Sequence, residues 1–441
     1  MFYIVEEESK LDLLEKLVKN GCYVEVIQSN DLYHSTLNNT VAVYIRVLDS
    51  AHGYIVPLNH EEGINVAKER IYGILSNSDT LYTLNKKTLL YHFNLQEAID
   101  LSLLYSMNKY ERLQIPDNNK TFNWFYSKFN EKKDINRIIP ISKLHEKCET
   151  TYDRVKEYIE LEIPSGFDFY NKLATNIFFL LEQKGVGIIH NPFVELFKPR
   201  NTLYNIENNI AYTDYNLYNA TSRPTSAFNS INFAAIPKEE KYRKAFKPQN
   251  DYFAEFDFDG YHLRLLCDQI GYQLTDESAH KQLAKHYFGT EDINDEQYLE
   301  AKQINFQAIY GKIPEKYKHL EIFKLVQEYI DNMWSVFESI GVVCNPQSGK
   351  PFTGELKDMH PAKLMNYMMQ SLETSNNILI LKELLRYLKD KKTFITLYTY
   401  DAVLFDFSKE DGKDTLEEIK LIMENKGKFP VKFKYSKDLV L

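Results

Sequence analysis

Cysteine is scarce in this sequence: Cys22, Cys148, Cys267 and Cys344 stand alone among 441 residues, and no two are spaced as a C-x-x-C pair. That excludes a disulfide-stapled framework and a zinc ribbon, and the expected setting is a reducing one. Tryptophan (2), proline (14) and glycine (16) are also sparse, which excludes collagen-like and linker-like architectures. No apolar run reaches the roughly 20 residues of a membrane span. The opening MFYIVEEESK is acidic where a secretion signal is basic and then apolar. A cytoplasmic location without a membrane is expected. Positive charge is not in excess either: 53 Lys and Arg face 62 Asp and Glu, a net charge of -9. Bulk coating of nucleic acid is thereby excluded, leaving a local basic groove, for which PKEEKYRKAFKP (237–248) supplies charge.

What is present suits a soluble protein with sizeable cores: 44% hydrophobic and 26% charged residues. The first part reads β-α-β-β-β, from FYIVE through SKLDLLEKLVKNG, with Ser9 as the expected N-cap, to CYVEVIQ, TVAVYIRV and GYIVPL. Helical patterns follow in LQEAIDLSLLYSMNKY (95–110) and SKLHEKCETTYDRVKEYIE (142–160), then a boundary at LEIPSG and an apolar helix, FDFYNKLATNIFFLLEQKG. The fold class is mixed α/β, of the α+β multidomain kind.

In YFAEFDFDGYHLRLL (252–266) a strand runs into a helix, and period-2 alternation puts Glu255, Asp257 and Asp259 on one face against Phe256 and Phe258. Like charges so placed raise one another's pKa unless water or a cation meets them. TFITLYTYDAVLFDF (393–407) alternates as one strand, with Asp401 on the face of Leu397 and Val403, where a lone carboxylate costs several kcal/mol. EAKQINFQAIYGK places Lys302, Phe306 and Tyr310 on one helical face, and LTDESAHKQLAKHYFG puts His280 in a first turn, after Thr275 or Asp276 as cap. Singly, each has an ordinary explanation: a solvated edge, a hydrogen-bonded buried Asp, core packing with a snorkelling lysine, a surface histidine.

Their order changes the odds. Acidic strand, His helix, Lys-Phe-Tyr helix and acidic strand resemble motifs A, B and C of family A DNA polymerases in FDFDGYHLR, KQINFQAIYG and YTYDAVLF. TSRPTSAFNSINFAAIP and NYMMQ are similar to the family's DNA-gripping segments through Arg223, Asn232, Asn366 and Gln370, and GKFPVKFKYSKDL to its closing palm strands. The resemblance, covering about 165 to the end, implies a right-hand polymerase with palm (about 165–270 and 355–441) and fingers (about 271–354) in a domain spanning 161–441. It implies two Mg²⁺ ions, or Mn²⁺ as a substitute, on Asp257, the Phe258 carbonyl and Asp401. The catalytic set is Asp257, Asp401 and Lys302, and the nucleotide meets His262, His280, Lys302, Phe306 and Tyr310. Phosphoryl transfer needs little more than such positioning and charge stabilisation. The implied partners are primer-template DNA, dNTPs and a processivity or replisome protein.

Departures from the family pattern are plain. Tyr298 stands where the family has Arg, which shifts triphosphate binding to Lys281 or Lys285; Ala402 replaces the second motif C carboxylate; Asp259 is read as peripheral; Ser222 replaces a glycine. His262 holds the place of the glutamate that blocks a ribose 2′-OH and bonds the motif B tyrosine; it either faces the pocket, where it meets Tyr310, or packs away. Residues 1–160 resemble the family's RNase H-like 3′-5′ exonuclease domain in degenerate form, with Val26 and Gln28 where Asp and Glu are expected and Asp100 alone surviving. About forty residues separate Gly185 from Arg223, too few for a long helical thumb, so DNA holding falls to the palm and to KFNEKKDINR (128–137). A reduced, phage-type DNA polymerase without proofreading is expected. The rivals are a single-subunit RNA polymerase or primase-like enzyme, and a non-catalytic palm that binds primer-template.

Overall fold

The computed structural model describes residues 2–48, 50–115, 124, 127–128, 133–197, 205–226, 232–275, 277–425 and 427–441. Asp276, residues 129–132 of the basic stretch, and 227–231 of the first gripping segment lie outside that set.

The first part is a six-stranded mixed sheet of β1 (Phe2–Ile4), β2 (Cys22–Gln28), β3 (Thr40–Val47), β4 (Gly53–Pro57), β5 (Leu81–Thr83) and β6 (Ile99–Asp100), in the order β1-β4-β3-β2-β5-β6. β2 and β3 are rich in β-branched residues and buried on both faces, as central strands are. The first helix is Glu8–Val18, burying Leu11, Leu14 and Val18 on one stripe. It starts before Ser9, because the Glu7 carbonyl already accepts from the amides of Lys10 and Leu11. The expected helix from Leu95 begins only at Leu101: Asp100 accepts from the Leu103 amide as N-cap, and the residue before it pairs in β6.

The second part is built on a four-stranded antiparallel sheet, in the order Phe394–Thr399, Ala402–Phe407, Tyr252–Phe258, Val431–Ser436. The 27-residue helix Pro361–Tyr387 packs with it, carrying buried Met365, Met368, Met369 and Leu372. Helices Ala279–Phe288 and Asp295–Ile309 pack on each other, and Glu321–Ile340 packs on Pro361–Tyr387. Between Gly185 and Arg223 the described residues form only the seven-residue helix His190–Leu196 and two-residue strands. No helix among the described residues is long and apolar enough to cross a membrane.

The two parts share a core. One apolar cluster contains Tyr23 and Leu103 as well as Phe178, Phe256 and Met368. A polar clasp reinforces it: Lys87 donates to Glu182 at 2.6 Å, to Asp214, and to the Tyr215 carbonyl at 2.7 Å. Glu182 is fully buried and burial pushes its carboxyl up to about 8, against the pull of Lys87.

Candidate functional site

Asp257 is paired in register with Ala402 on one side and Lys432 on the other, so Asp401 is the next residue beyond its neighbour. The strand ends where Gly260, at φ +59°, turns left-handed into helix Tyr261–Gln269. A Cβ at Gly260 would meet the Ala279 Cβ at 3.1 Å.

The single strand expected over 393–407 is instead a hairpin, with Tyr400 and Asp401 as its tip. The alternation runs straight through a turn that contains no glycine, which hides it from sequence periodicity. Tyr400 takes the glycine-favouring conformation at φ +65°, a strain characteristic of functional sites. Asp401 is therefore exposed and does not share a face with Leu397 and Val403. Its carbonyl accepts from the Phe258 amide at 2.9 Å, locking the tip to the acidic strand.

Electrostatics follow from that lock. Burial, then Asp401 and Glu255, push Asp257 up to about 6. Desolvation by the surrounding cavity wall also raises Asp401, although its side chain still reaches solvent at the hairpin tip, and Glu373 adds to it. Two lysines on the edge strand, undetected in sequence, oppose this repulsion: Lys432 lies across from Asp257 and Lys434 across from Glu255. Adjacent carboxylates held above their ordinary pKa, beside the Phe258 backbone, are a donor set that fits a hard divalent cation.

Helix Asp295–Ile309 buries Ala301, Ile304, Asn305, Ala308 and Ile309 and turns its other face outward. Phe306 and Tyr310 remain 41% and 39% exposed, so this face is not core packing. The Lys302 ammonium sits 5.9 Å from the Phe306 ring centre and forms no ion pair among the described residues. His280, in the first turn of Ala279–Phe288, accepts from the Asn305 amide at Nδ1 over 2.9 Å. Burial, with Lys302 beside it, pulls its pKa down to about 4, so the ring is neutral and carries its proton on Nε2. The helix starts at Ala279, later than a cap at Thr275 or Asp276 would set it, because Asp259 accepts from the Ala279 amide at 3.1 Å. Asp259 is thus not peripheral: it anchors that helix and lies 2.5 Å from the Lys432 ammonium.

A cavity of about 280 Å³ collects these groups. Asp257, Asp401, Lys302, His262, His280, Phe306, Tyr310 and Arg223 all line it, as does Phe258, together with Asp259, Tyr298, Glu373 and Lys432. Lys281 and Lys285 do not; they pair with Glu277, and Lys285 with Glu291 also. Lys432 is the lysine besides Lys302 that lines the cavity. Asn366, Gln370 and Asn232 lie outside the cavity. Gln370 donates to Asn366 at 2.9 Å and accepts from Thr221 at 3.2 Å, while Asn232 is exposed and accepts from Ser226.

The largest omission of the sequence reading is Glu373, buried on helix Pro361–Tyr387. Arg223 donates Nη2 to its Oε1 at 3.1 Å and brings Nε within 2.7 Å of Oε2. His262 faces the cavity, and its Nε2 meets Glu373 Oε1 at 3.2 Å; its partner is this carboxylate, where Tyr310 had been expected. A signal existed: positions 366, 370 and 373 follow the i, i+4, i+7 rule and share a helical face.

No family model and no curated relative matches this sequence. The structure is similar to that of the POL domain of Pol1 from M. smegmatis in complex with DNA primer-template and dNTP. The TM-score is 0.68 at 13% identity, over 100% of this chain and 99% of that chain. The chain has the fold of that POL domain.

Proposed function

We propose that this protein is a DNA-templated DNA polymerase that adds dNTPs to a primer 3′ end. The observation that carries the reading is the convergence on one cavity of Asp257, Asp401, Lys302, Phe306 and Tyr310 from elements far apart in the chain. The fold likeness to a POL domain solved with primer-template and dNTP supports it. In the reaction the primer 3′ oxygen bonds to the α-phosphorus, the bond to the bridging oxygen breaks, and pyrophosphate leaves.

Asp257, Asp401 and the Phe258 carbonyl would hold Mg²⁺, or Mn²⁺ in its place, which supplies charge neutralisation at the attacking and leaving oxygens. Lys302 neutralises the triphosphate and protonates the leaving pyrophosphate, and the His280 Nε2–H donates to a phosphate oxygen. Lys432 adds positive charge on the palm side. Phe306 stacks beside the incoming base and Tyr310 closes the pocket floor. His262 puts its ring against the sugar. Arg223, Asn232, Asn366 and Gln370 grip the primer-template.

Residues 1–160 are proposed to be an exonuclease-like remnant without proofreading. The side chain of Gln28 is engaged with His92, and Asp100 is a helix cap that also accepts from the Lys86 amide and the Tyr218 hydroxyl. With so short a segment before Arg223, a processivity partner is part of the proposal.

The test is primer extension with Mg²⁺, comparing dNTPs and rNTPs, on a labelled primer. Template-directed extension with dNTPs is expected. Extension with rNTPs alone would assign an RNA polymerase or primase, and primer-template binding without extension a non-catalytic palm. Shortening of a mismatched primer by the Asp257→Ala variant would overturn the absence of proofreading.

A further inference from the structure

Glu373 is 1% exposed and reaches two cavity-lining side chains that come from different elements. Arg223 donates Nη2 to Oε1 at 3.1 Å, and its Nε lies 2.7 Å from Oε2 as an ion pair outside hydrogen-bond geometry. One directed hydrogen bond and one close charge contact hold the carboxylate in position. The oxygen so fixed, Oε1, is the one that meets His262 Nε2 at 3.2 Å. Among the described residues His262 has no side-chain hydrogen bond and Glu373 is its one charge partner, so Glu373 is the group placed to bias the orientation of its ring. Arg223 is itself pinned, its guanidinium carbon 3.8 Å above the Tyr400 ring at the hairpin tip.

The contacts form a line: Tyr400 to Arg223, Arg223 to Glu373, Glu373 to His262. Burial alone would raise the Glu373 carboxyl, but His262 and Arg223 hold it below the ordinary glutamate range, so it stays an anion.

We propose that Glu373 is a positioning residue that couples the primer-gripping Arg223 to sugar selection by His262, so that contact at the primer end sets how tightly the ribose 2′-OH is excluded. The inference rests on the polymerase reading above. A helix-borne glutamate outside motif A then performs the orienting part of sugar discrimination, and His262 the blocking part. Arg223 acts on the sugar at one remove, through the carboxylate it orients. Because the relay is a chain in series, loss of either link releases the same ring. The two losses should therefore not add.

The experiment is a double-mutant cycle on the full chain with Glu373→Gln and Arg223→Lys, reading kcat/KM for a dNTP over that for the matching rNTP on one primer-template. Glutamine keeps shape and one acceptor while removing the charge; lysine keeps the charge while losing the fork. Glu373→Gln should lower the ratio at least about fivefold, chiefly through a gain in ribonucleotide kcat/KM, and Arg223→Lys should lower it in the same sense. The double variant should fall within about twofold of the worse single variant.

A carboxylate that merely neutralises Arg223 predicts the opposite: both sugars lose equally, and the ratio stays constant. That constancy, or strictly multiplicative effects in the double variant, overturns the proposal. If Glu373→Gln shows no cooperative melt, Arg223→Lys decides alone, and an unchanged ratio in it is equally fatal. A wild type that extends no primer removes the polymerase reading and this one together. A wild type that extends normally, with the ratio unmoved in both variants, removes this one only.

Discussion

Asp257→Asn should stabilise the protein while abolishing its proposed activity. In the folded chain burial, Asp401 and Glu255 move the Asp257 carboxyl from its ordinary 3.8 to about 6, even with Lys432 and Lys434 opposing them. Taken at face value, that displacement disfavours the charged form by about 3 kcal/mol near neutral pH. Water reaches the strand end, and screening reduces the figure to about 1 to 2 kcal/mol. The folded pKa lies above the unfolded one, so the contribution of this carboxyl to stability is fully present in acid, below the unfolded pKa. It is lost as pH rises through about 6. Asparagine carries no charge to repel. In metal-free buffer at about pH 7.5 the variant should therefore be more stable than wild type by about 1 to 2 kcal/mol in urea unfolding, and the gain should shrink towards zero near pH 4. Added Mg²⁺ should stabilise wild type and leave the variant unmoved. An asparagine variant no more stable than wild type at about pH 7.5, or a gain that persists undiminished in acid, would refute the electrostatic account.

Asp401→Asn should lower kcat more than about a thousandfold while primer-template Kd changes less than about threefold; turnover within about tenfold of wild type would contradict the assignment. His262→Ala should raise ribonucleotide relative to deoxynucleotide incorporation more than about tenfold, some 1.4 kcal/mol in differential transition-state binding, measured as a ratio of specificity constants. Lys87→Met leaves buried Glu182 without its cation and should cost about 2 to 4 kcal/mol in urea unfolding. Adding Glu182→Gln should recover part of that loss, whereas an additive further loss would show that the pair does not interact.

Local patterns were legible where period and burial agree. The alternation of Glu255, Phe256, Asp257 and Phe258 is the alternation of the strand, and Lys302, Phe306 and Tyr310 do share the open face of their helix. The hairpin tip was hidden because Tyr400 adopts a glycine conformation without being glycine. Lys432 was missed because it meets Asp257 only through a pairing between strands distant in sequence, which a one-dimensional pattern does not encode. Glu373 was obscured by its helix, which is buried around much of its circumference and offers no single apolar stripe from which an inward carboxylate would stand out. The start of the Ala279 helix depended on Asp259, another long-range partner. In each case the unread part is a contact between distant segments, and the readable part is a repeat within one.

The acidic strand is flanked by partners that are made long after it: Ala402–Phe407 on one side and Val431–Ser436 on the other. During synthesis, therefore, Asp257 emerges without its neighbour Asp401 and without Lys432. A chain halted before the first of these strands exposes both edges of Tyr252–Phe258, a row of unpaired amides and carbonyls bordered by Phe253 and Phe256. Such a nascent chain lacks the assembled cluster of Asp257, Asp401 and Lys432 and is prone to sticking to itself. The cluster thus assembles late and all at once, when the long-range sheet closes, and the rate of that closure governs how soon a newly made molecule has its complete cavity.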